Sequence, residues 1–314
     1  MREIGGYIEL DQYWLPMLHE DAIKLNCGRN ALAYILEARK IKTIWLPYFL
    51  CTSVRETCEK CGVETKFYHI NRQFLSEEME LSKTEWIYLV DYFGQISRQE
   101  LLRMIAKYQN VIVDFAQNYF AEPIPDIDTL YTCRKYFGVS DGAILYTNQR
   151  LDRPLPQDES FERIHYILGR YERTASEFYR ESAENNDSFS QEPIKIMSKL
   201  TNNLLHGILY DKIKQIRTEN FEFLREQLAS VNQIQVKSVD GAFMYPLWID
   251  NSIEVKQKLL QNKIYIPTLW PNVLEEVPRE WLEWKMAENI LPLPVDQRYT
   301  LEDMEYIVQL IVGG

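Results

Sequence analysis

Residues 86–117 read W-I-Y-L-V-D-Y-F-G-Q-I-S-R-Q-E-L-L-R-M-I-A-K-Y-Q-N-V-I-V-D-F-A-Q. The stretch opens on an apolar run of strand length, Trp86–Asp91, rich in β-branched and aromatic residues. A segment of helical periodicity follows over Arg98–Lys107, and a second apolar run, Val111–Phe115, closes it. Strand, helix, strand is the unit of a parallel sheet, because parallel neighbours need a crossover connection. The alternation continues outward from this unit. Strands are predicted at Thr43–Pro47, Glu64–Ile70 and Ala143–Thr147, with helices over Asn30–Arg39 and Thr52–Cys61. The predicted fold class is α/β, a mostly parallel sheet flanked by helices.

After Thr147 the pattern changes. Residues 151–195 are polar and strand-poor, with a helical stretch near Phe161–Arg180 and a loop expected at Glu184–Gln191. A long helix is expected from Met197 to Ser230. Short strands (Ile234–Ser238, Phe243–Ile249), a helix (Ile253–Gln261), a strand (Lys263–Pro267) and a last helix (Leu301–Val312) follow. That pattern predicts a small C-terminal α+β domain over 211–314, joined to a large domain over 1–210 inside the long helix.

The chain has 314 residues and a net charge of −11, which excludes a general basic field for nucleic acid or anionic membrane. No apolar run is long enough to span a membrane, and the N-terminal M-R-E-I-G-G-Y-I-E-L lacks a continuous apolar core of a secretory signal. Five cysteines, an odd number, point with these facts to a reducing, cytoplasmic setting. Cys58 and Cys61 form one C-x-x-C without a second pair or histidines at ligand spacing, so no metal site is expected. His19, His69, His165 and His206 form neither a ligand cluster nor a triad.

Three segments carry chemistry together. Cys27–Leu32, C-G-R-N-A-L, is a glycine turn opening a helix, whose free N–H groups suit a phosphate. Val111–Gln117, V-I-V-D-F-A-Q, places Asp114 at the carboxyl end of a strand, the edge where open α/β sheets bind ligands. A carboxylate there can hold a ring nitrogen protonated, although a lone Asp is more often a cap or turn former. Thr132–Ala143, T-C-R-K-Y-F-G-V-S-D-G-A, puts Lys135 three residues after a hydroxyl, ahead of glycines and a strand. Desolvation and neighbouring positive charge would lower its pKa, as Schiff-base chemistry needs, whereas most lysines are solvated surface groups.

In this order and spacing the segments resemble the fold type I pyridoxal-phosphate (PLP) enzymes, and within them the DegT/StrS sugar aminotransferases. The likeness is carried also by G-G-Y-I-E-L near the start, L-P-Y-F-L-C-T-S-V at 46–54, D-F-A-Q at 114–117 and R-K-Y-F-G-V-S-D-G-A. At the tail I-L-P-L-P-V-D-Q-R-Y-T-L-E-D-M at 290–304 adds to it. It covers nearly the whole chain.

The resemblance implies that Lys135 forms the Schiff base and shuttles a proton between substrate carbon and cofactor. It implies that Asp114 pairs with the pyridinium nitrogen and that Gln117 hydrogen-bonds the phenolic oxygen. Gly28, Arg29, Asn30 and Thr132 would hold the phosphate. Phe49 would stack on the ring, with Tyr48 its neighbouring alternative and core packing the plain one. Arg134 and Arg298 are candidates for an anionic substrate group, or else structural ion pairs. The family's partner-subunit Asn is matched by Ile194, with Ser198 or Lys195 nearby. The glycine-rich segment after the lysine is altered, and the chain is short for the family. The implied activity is transfer of an amino group from an amino-acid donor to a keto sugar, nucleotide-linked in the family, by a homodimer. Dehydration, another PLP-dependent amino-acid transformation, and non-catalytic binding of PLP or a sugar are the alternatives.

Overall fold

In the computed structural model, which describes residues 4–313, the predicted β-α-β unit is present. Met1, Arg2 and Glu3 of the N-terminal stretch, and Gly314, lie outside the described residues. The first half of the chain runs β1 (Ile23–Leu25), α1 (Gly28–Ala38), β2 (Thr43–Pro47), α2 (Thr52–Lys60) and β3 (Glu64–Tyr68). It continues through β4 (Trp86–Val90), α3 (Arg98–Tyr108), β5 (Val111–Asp114), β6 (Asp128–Thr132) and β7 (Ala143–Tyr146). The α3 crossover is closed by a capping box: Ser97 accepts from the Glu100 N–H and Glu100 accepts from the Ser97 N–H. It brings β5 beside β4 in parallel, with Ile87 opposite Val111 and Val90 opposite Asp114.

The seven strands lie in the order β1-β7-β6-β5-β4-β2-β3. All but β7 run the same way, and β7 is antiparallel to both of its neighbours. The sheet is thus mixed and mostly parallel, as predicted. Its centre is apolar on both faces: Ile44, Leu46, Ile87, Ile112 and Val113 are fully enclosed, each contributing about 1.5–3 kcal/mol by burial. From β2 the chain crosses to β3 on one side, and from β4 to β5 on the other. The crevice outside the carboxyl ends of β2 and β4 is therefore the switch point where such sheets bind ligands.

Two strands of this sheet went unpredicted. β1 has only three residues, too few to show a period. β6, D-T-L-Y-T, carries polar residues yet is buried along its whole length. Asp128 is tolerated there because Arg39 donates to both of its oxygens at 2.8 Å, and the Thr129 hydroxyl donates to Ile127 O.

The second half contains α4 (His165–Glu172), α5 (Tyr179–Ser188), α6 (Lys199–Leu205), α7 (Tyr210–Gln227), β8 (Met244–Trp248) and α8 (Ser252–Gln261). Then come α9 (Pro271–Glu276), α10 (Leu282–Asn289), β9 (Ile290–Pro294) and α11 (Leu301–Val312). β8 and β9 form a separate antiparallel pair, and Phe221, Leu224, Leu259, Leu293 and Met304 gather into a second apolar core.

Four local expectations are corrected here. The loop expected at Glu184–Gln191 is helical as far as Ser188, because the tertiary bonds of buried Asn185 to Ser140 O and Tyr166 outweigh a polar composition. The long helix expected over Met197–Ser230 is two helices. They part at Gly207, where a side chain would meet the Tyr13 ring at 3.1 Å and Leu15 N–H bonds His206 O. Ile234–Ser238 and Lys263–Pro267 form no strand; Ile264 and Ile266 pack on the second core, while β8 and β9 pair only with each other. Cys58 is buried in α2 and Cys61 is exposed at its end, both as free thiols. No described helix is long and apolar enough to cross a membrane.

Candidate active site

Three of the sheet's connections meet at its carboxyl edge. β5 ends on Asp114, β6 ends on Thr132, and β1 feeds through Asn26 and Cys27 into the first turn of α1. Since β5 and β6 are parallel, with Asp114 opposite Leu130, Thr132 stands one pleat beyond Asp114 on the neighbouring strand. A side chain built at Gly28 would meet Thr132 Cβ at 4.0 Å, so the glycine turn faces that hydroxyl residue. Thr132 is a buried residue, and its hydroxyl has no hydrogen-bond partner among the described residues.

Lys135 rises from a tight turn after β6, held by Tyr136 and Phe137 N–H groups donating to Cys133 O at 3.0 and 2.9 Å. The residue retains solvent exposure. Desolvation by the surrounding protein lowers its pKa, and the nearby Asp114 carboxylate opposes that shift. The ammonium makes no ion pair with a described residue and sits 5.2 Å from the centre of the Phe243 ring.

Asp114 is buried, accepting from the Tyr88 hydroxyl at 2.8 Å and from Ala116 N–H at 2.7 Å. Burial raises its pKa; the Lys135 charge and these two bonds pull it back down. Gln117 is enclosed one turn further on, and its Oε1 accepts from Phe93 N–H at 2.9 Å. That bond fixes the amide's orientation and leaves Nε2 with no acceptor among the described residues. A cationic ring nitrogen beside Asp114 would restore the carboxylate's ionisation, and an oxyanion beside Gln117 would take the spare N–H.

The other sequence candidates are distributed as follows. Arg29, half-buried, donates to Asn186 O at 2.6 Å, and Arg134 donates to Asn186 Oδ1 at 3.2 Å. The Asn30 amide is spent inside, donating to Asn26 Oδ1 and Pro193 O. Phe49 is fully enclosed, edge-on to Trp270 at 4.9 Å, and its carbonyl accepts from the Tyr92 hydroxyl. Tyr48 stacks on Phe67 at 5.2 Å beside a cavity of about 450 Å³ that also takes in Cys51 and Arg55. Arg298 is half-exposed and paired with Asp296 at 2.6 Å. Ile194 is buried, Lys195 pairs with Asp158 and Glu192, and Ser198 caps α6 and bonds Asp141.

Sequence reasoning missed Tyr88, Cys51 and Asn186. Tyr88 lies in the middle of β4, where its aromatic reads as core; only the strand register shows its hydroxyl reaching Asp114. Among the described residues there is no group of three or more His, Cys, Asp or Glu placed to hold a metal ion.

No family model matches the chain, and no curated protein matches it. Solved structures do. A DegT DnrJ EryC1 StrS aminotransferase from Brucella abortus superposes with a TM-score of 0.63 at 15% identity, covering 93% of this chain and 85% of that one. The sugar aminotransferase CalS13 from Micromonospora echinospora gives 0.63 at 15% identity, over 93% and 87%. AtS13 from Actinomadura melliaura gives 0.65 at 16% identity, over 93% and 86%. The chain therefore has the fold type I architecture of these aminotransferases over almost its full length.

Proposed function

We propose that this chain is a PLP-dependent aminotransferase, with Lys135 holding the cofactor aldehyde and a keto sugar, nucleotide-linked as in the resembling family, as acceptor from an amino-acid donor. The observation that carries the reading is the facing pair at the sheet's carboxyl edge: a lysine with lowered pKa and no ion-pair partner, opposite a buried carboxylate held by Tyr88. Structures that share the fold are named as sugar aminotransferases, which supports the substrate class. When bound, PLP supplies a protonated ring that accepts the electron pair left as a proton departs the substrate carbon.

The residues divide the work. Asp114 keeps the ring nitrogen protonated, and Tyr88 keeps Asp114 in place. Gln117 Nε2 donates to the phenolic oxygen. The first turn of α1 at Gly28 and the Thr132 hydroxyl receive the phosphate. Lys135, as a neutral amine that its lowered pKa favours, would move a proton to and from the substrate carbon. A homodimer, a cytoplasmic setting consistent with five free thiols, and a domain division near residue 210 belong to the same reading.

Mixing the protein with PLP should produce the visible-range absorption of a lysine-bound cofactor, and Lys135→Ala should lose it. Amino-acid donors alone should then shift the wild-type spectrum to that of the pyridoxamine form. Unchanged absorption in Lys135→Ala overturns the role of Lys135. A spectrum indifferent to every donor overturns aminotransfer and leaves another PLP reaction.

A further inference from the structure

Three arginines gather around Phe189 and Asn186, and they are not treated alike. Arg134 and Arg163 lie over the Phe189 ring, at 4.7 and 5.0 Å. Arg163 is neutralised by Asp158 at 2.6 Å. Arg134 and Arg29 have no carboxylate partner among the described residues. Both instead reach one neutral atom, Asn186 Oδ1, at 3.2 and 3.5 Å. Arg134 Nε is shut off from solvent with no acceptor at all. Burial, aided by the nearby charge of Arg29, holds the Arg134 guanidinium below its usual range.

The first turn of α1 lies in the same corner and is equally unsatisfied. It has no acidic residue, and its N-cap residue Cys27 makes no side-chain capping bond. Burial raises the Cys27 thiol and keeps it a poor acceptor. Two unpaired guanidiniums and an uncapped helix start repel one another unless an anion joins them. Arg134 is adjacent to Lys135 in sequence, but its side chain goes to this corner, away from the Phe243 ring beside the lysine.

We infer that Arg29 and Arg134 form a two-guanidinium cup for the cofactor's phosphate dianion, completed by the α1 N-terminus and Thr132 and closed by Asn186. The inference rests on the PLP reading above and moves Arg134 from a substrate role to the phosphate. It also gives a physical account of Ile194: the position where the resemblance implied a polar contact from a partner is an apolar core residue, and guanidiniums of the same chain supply the anion contacts. On phosphate binding, Asn186 gives up its place as acceptor to charged oxygens, which form stronger bonds to Arg.

The test is a pair of absorbance titrations, with PLP and with pyridoxal, which lacks the phosphate. The wild type should bind PLP more tightly than pyridoxal. Arg29→Gln and Arg134→Met should each cut that preference about 10- to 100-fold, with pyridoxal affinity unchanged. A preference retained in both variants overturns the cup while leaving the PLP reading intact. Failure of the wild type to bind PLP overturns both. Should Arg134→Met fail to fold, Arg29→Gln, at a half-buried position, decides the matter.

Discussion

Two arginines, the enclosed Arg217 and the half-buried Arg134, are finished differently. Arg217, in α7, is fully enclosed and fully employed: its guanidinium donates to Gln297 Oε1, Ala242 O and Tyr136 O at 2.7 to 3.2 Å. Asn220 beside it bonds the carbonyls of Val295 and Tyr299. These polar groups tie α7 to the strand pair and to the turn after β6, and none is left over. At the carboxyl edge of the large sheet, by contrast, Arg134 Nε, Gln117 Nε2, the Thr132 hydroxyl and the Lys135 ammonium have no partner among the described residues. Unmet polar capacity costs stability when buried. Of these groups only Arg134 Nε is cut off from solvent; the others are free to meet a ligand arriving at the edge.

The comparison can be broken most severely at Asp114. Asp114→Asn keeps the shape and the Ala116 N–H bond, with the new amide NH2 donating to the Tyr88 hydroxyl, but no longer holds a ring nitrogen protonated. We expect turnover to fall by about a thousandfold or more, equal to roughly 4 kcal/mol in the barrier, with melting temperature held or raised. Full activity in that variant would refute its role. Arg217→Met should do the reverse. Removing the guanidinium strands several buried carbonyls, costing about 3 kcal/mol of unfolding free energy, readable by urea denaturation. An unchanged midpoint would show that those bonds are dispensable.

A smaller, pH-dependent effect is expected at Asp91, which follows β4 on the same edge. It is buried, accepting from Asn118 Nδ2 and Ile96 N–H at 2.8 and 3.0 Å, and burial raises its pKa to about 7. The native state thus keeps a proton that the unfolded chain loses at lower pH. Its contribution is present below the ordinary carboxyl range and is lost as pH rises through about 7, with a slope of up to about 1.4 kcal/mol per pH unit. Asp91→Asn should flatten that slope in denaturation curves taken from pH 4 to 7; an unaltered slope would place the titration elsewhere. The smallest effect is expected at Arg298, whose exposed pair with Asp296 should be worth under about 1 kcal/mol. If Arg298→Ala instead raises KM strongly, the substrate role given to it by the resemblance stands.

The large sheet was legible because its strands are buried on both faces and its helices are amphipathic; the run 86–117 carries both signals within one crossover. What the sequence hid was mostly polar. Asp128 and Thr129 disguised β6 until Arg39 and the local carbonyl explained them. The helix α5 was masked by its asparagines, whose partners lie far along the chain. At the site, Asp114 and Gln117 could be placed at the sheet's edge because they close a predicted strand, whereas Thr132 and Lys135 follow the unpredicted β6 and stood out only through the segment that carries the resemblance. Tyr88 was not, since its role depends on a register between β4 and β5 that periodicity leaves open. Nor was the joint use of Asn186 by Arg29 and Arg134, which needs three distant segments in one corner.

The most direct test of the account is to reduce the PLP-loaded protein with borohydride and map the modified lysine by mass spectrometry. The account predicts one phosphopyridoxyl group per chain, on Lys135. Modification at another lysine, or none at all, would contradict it.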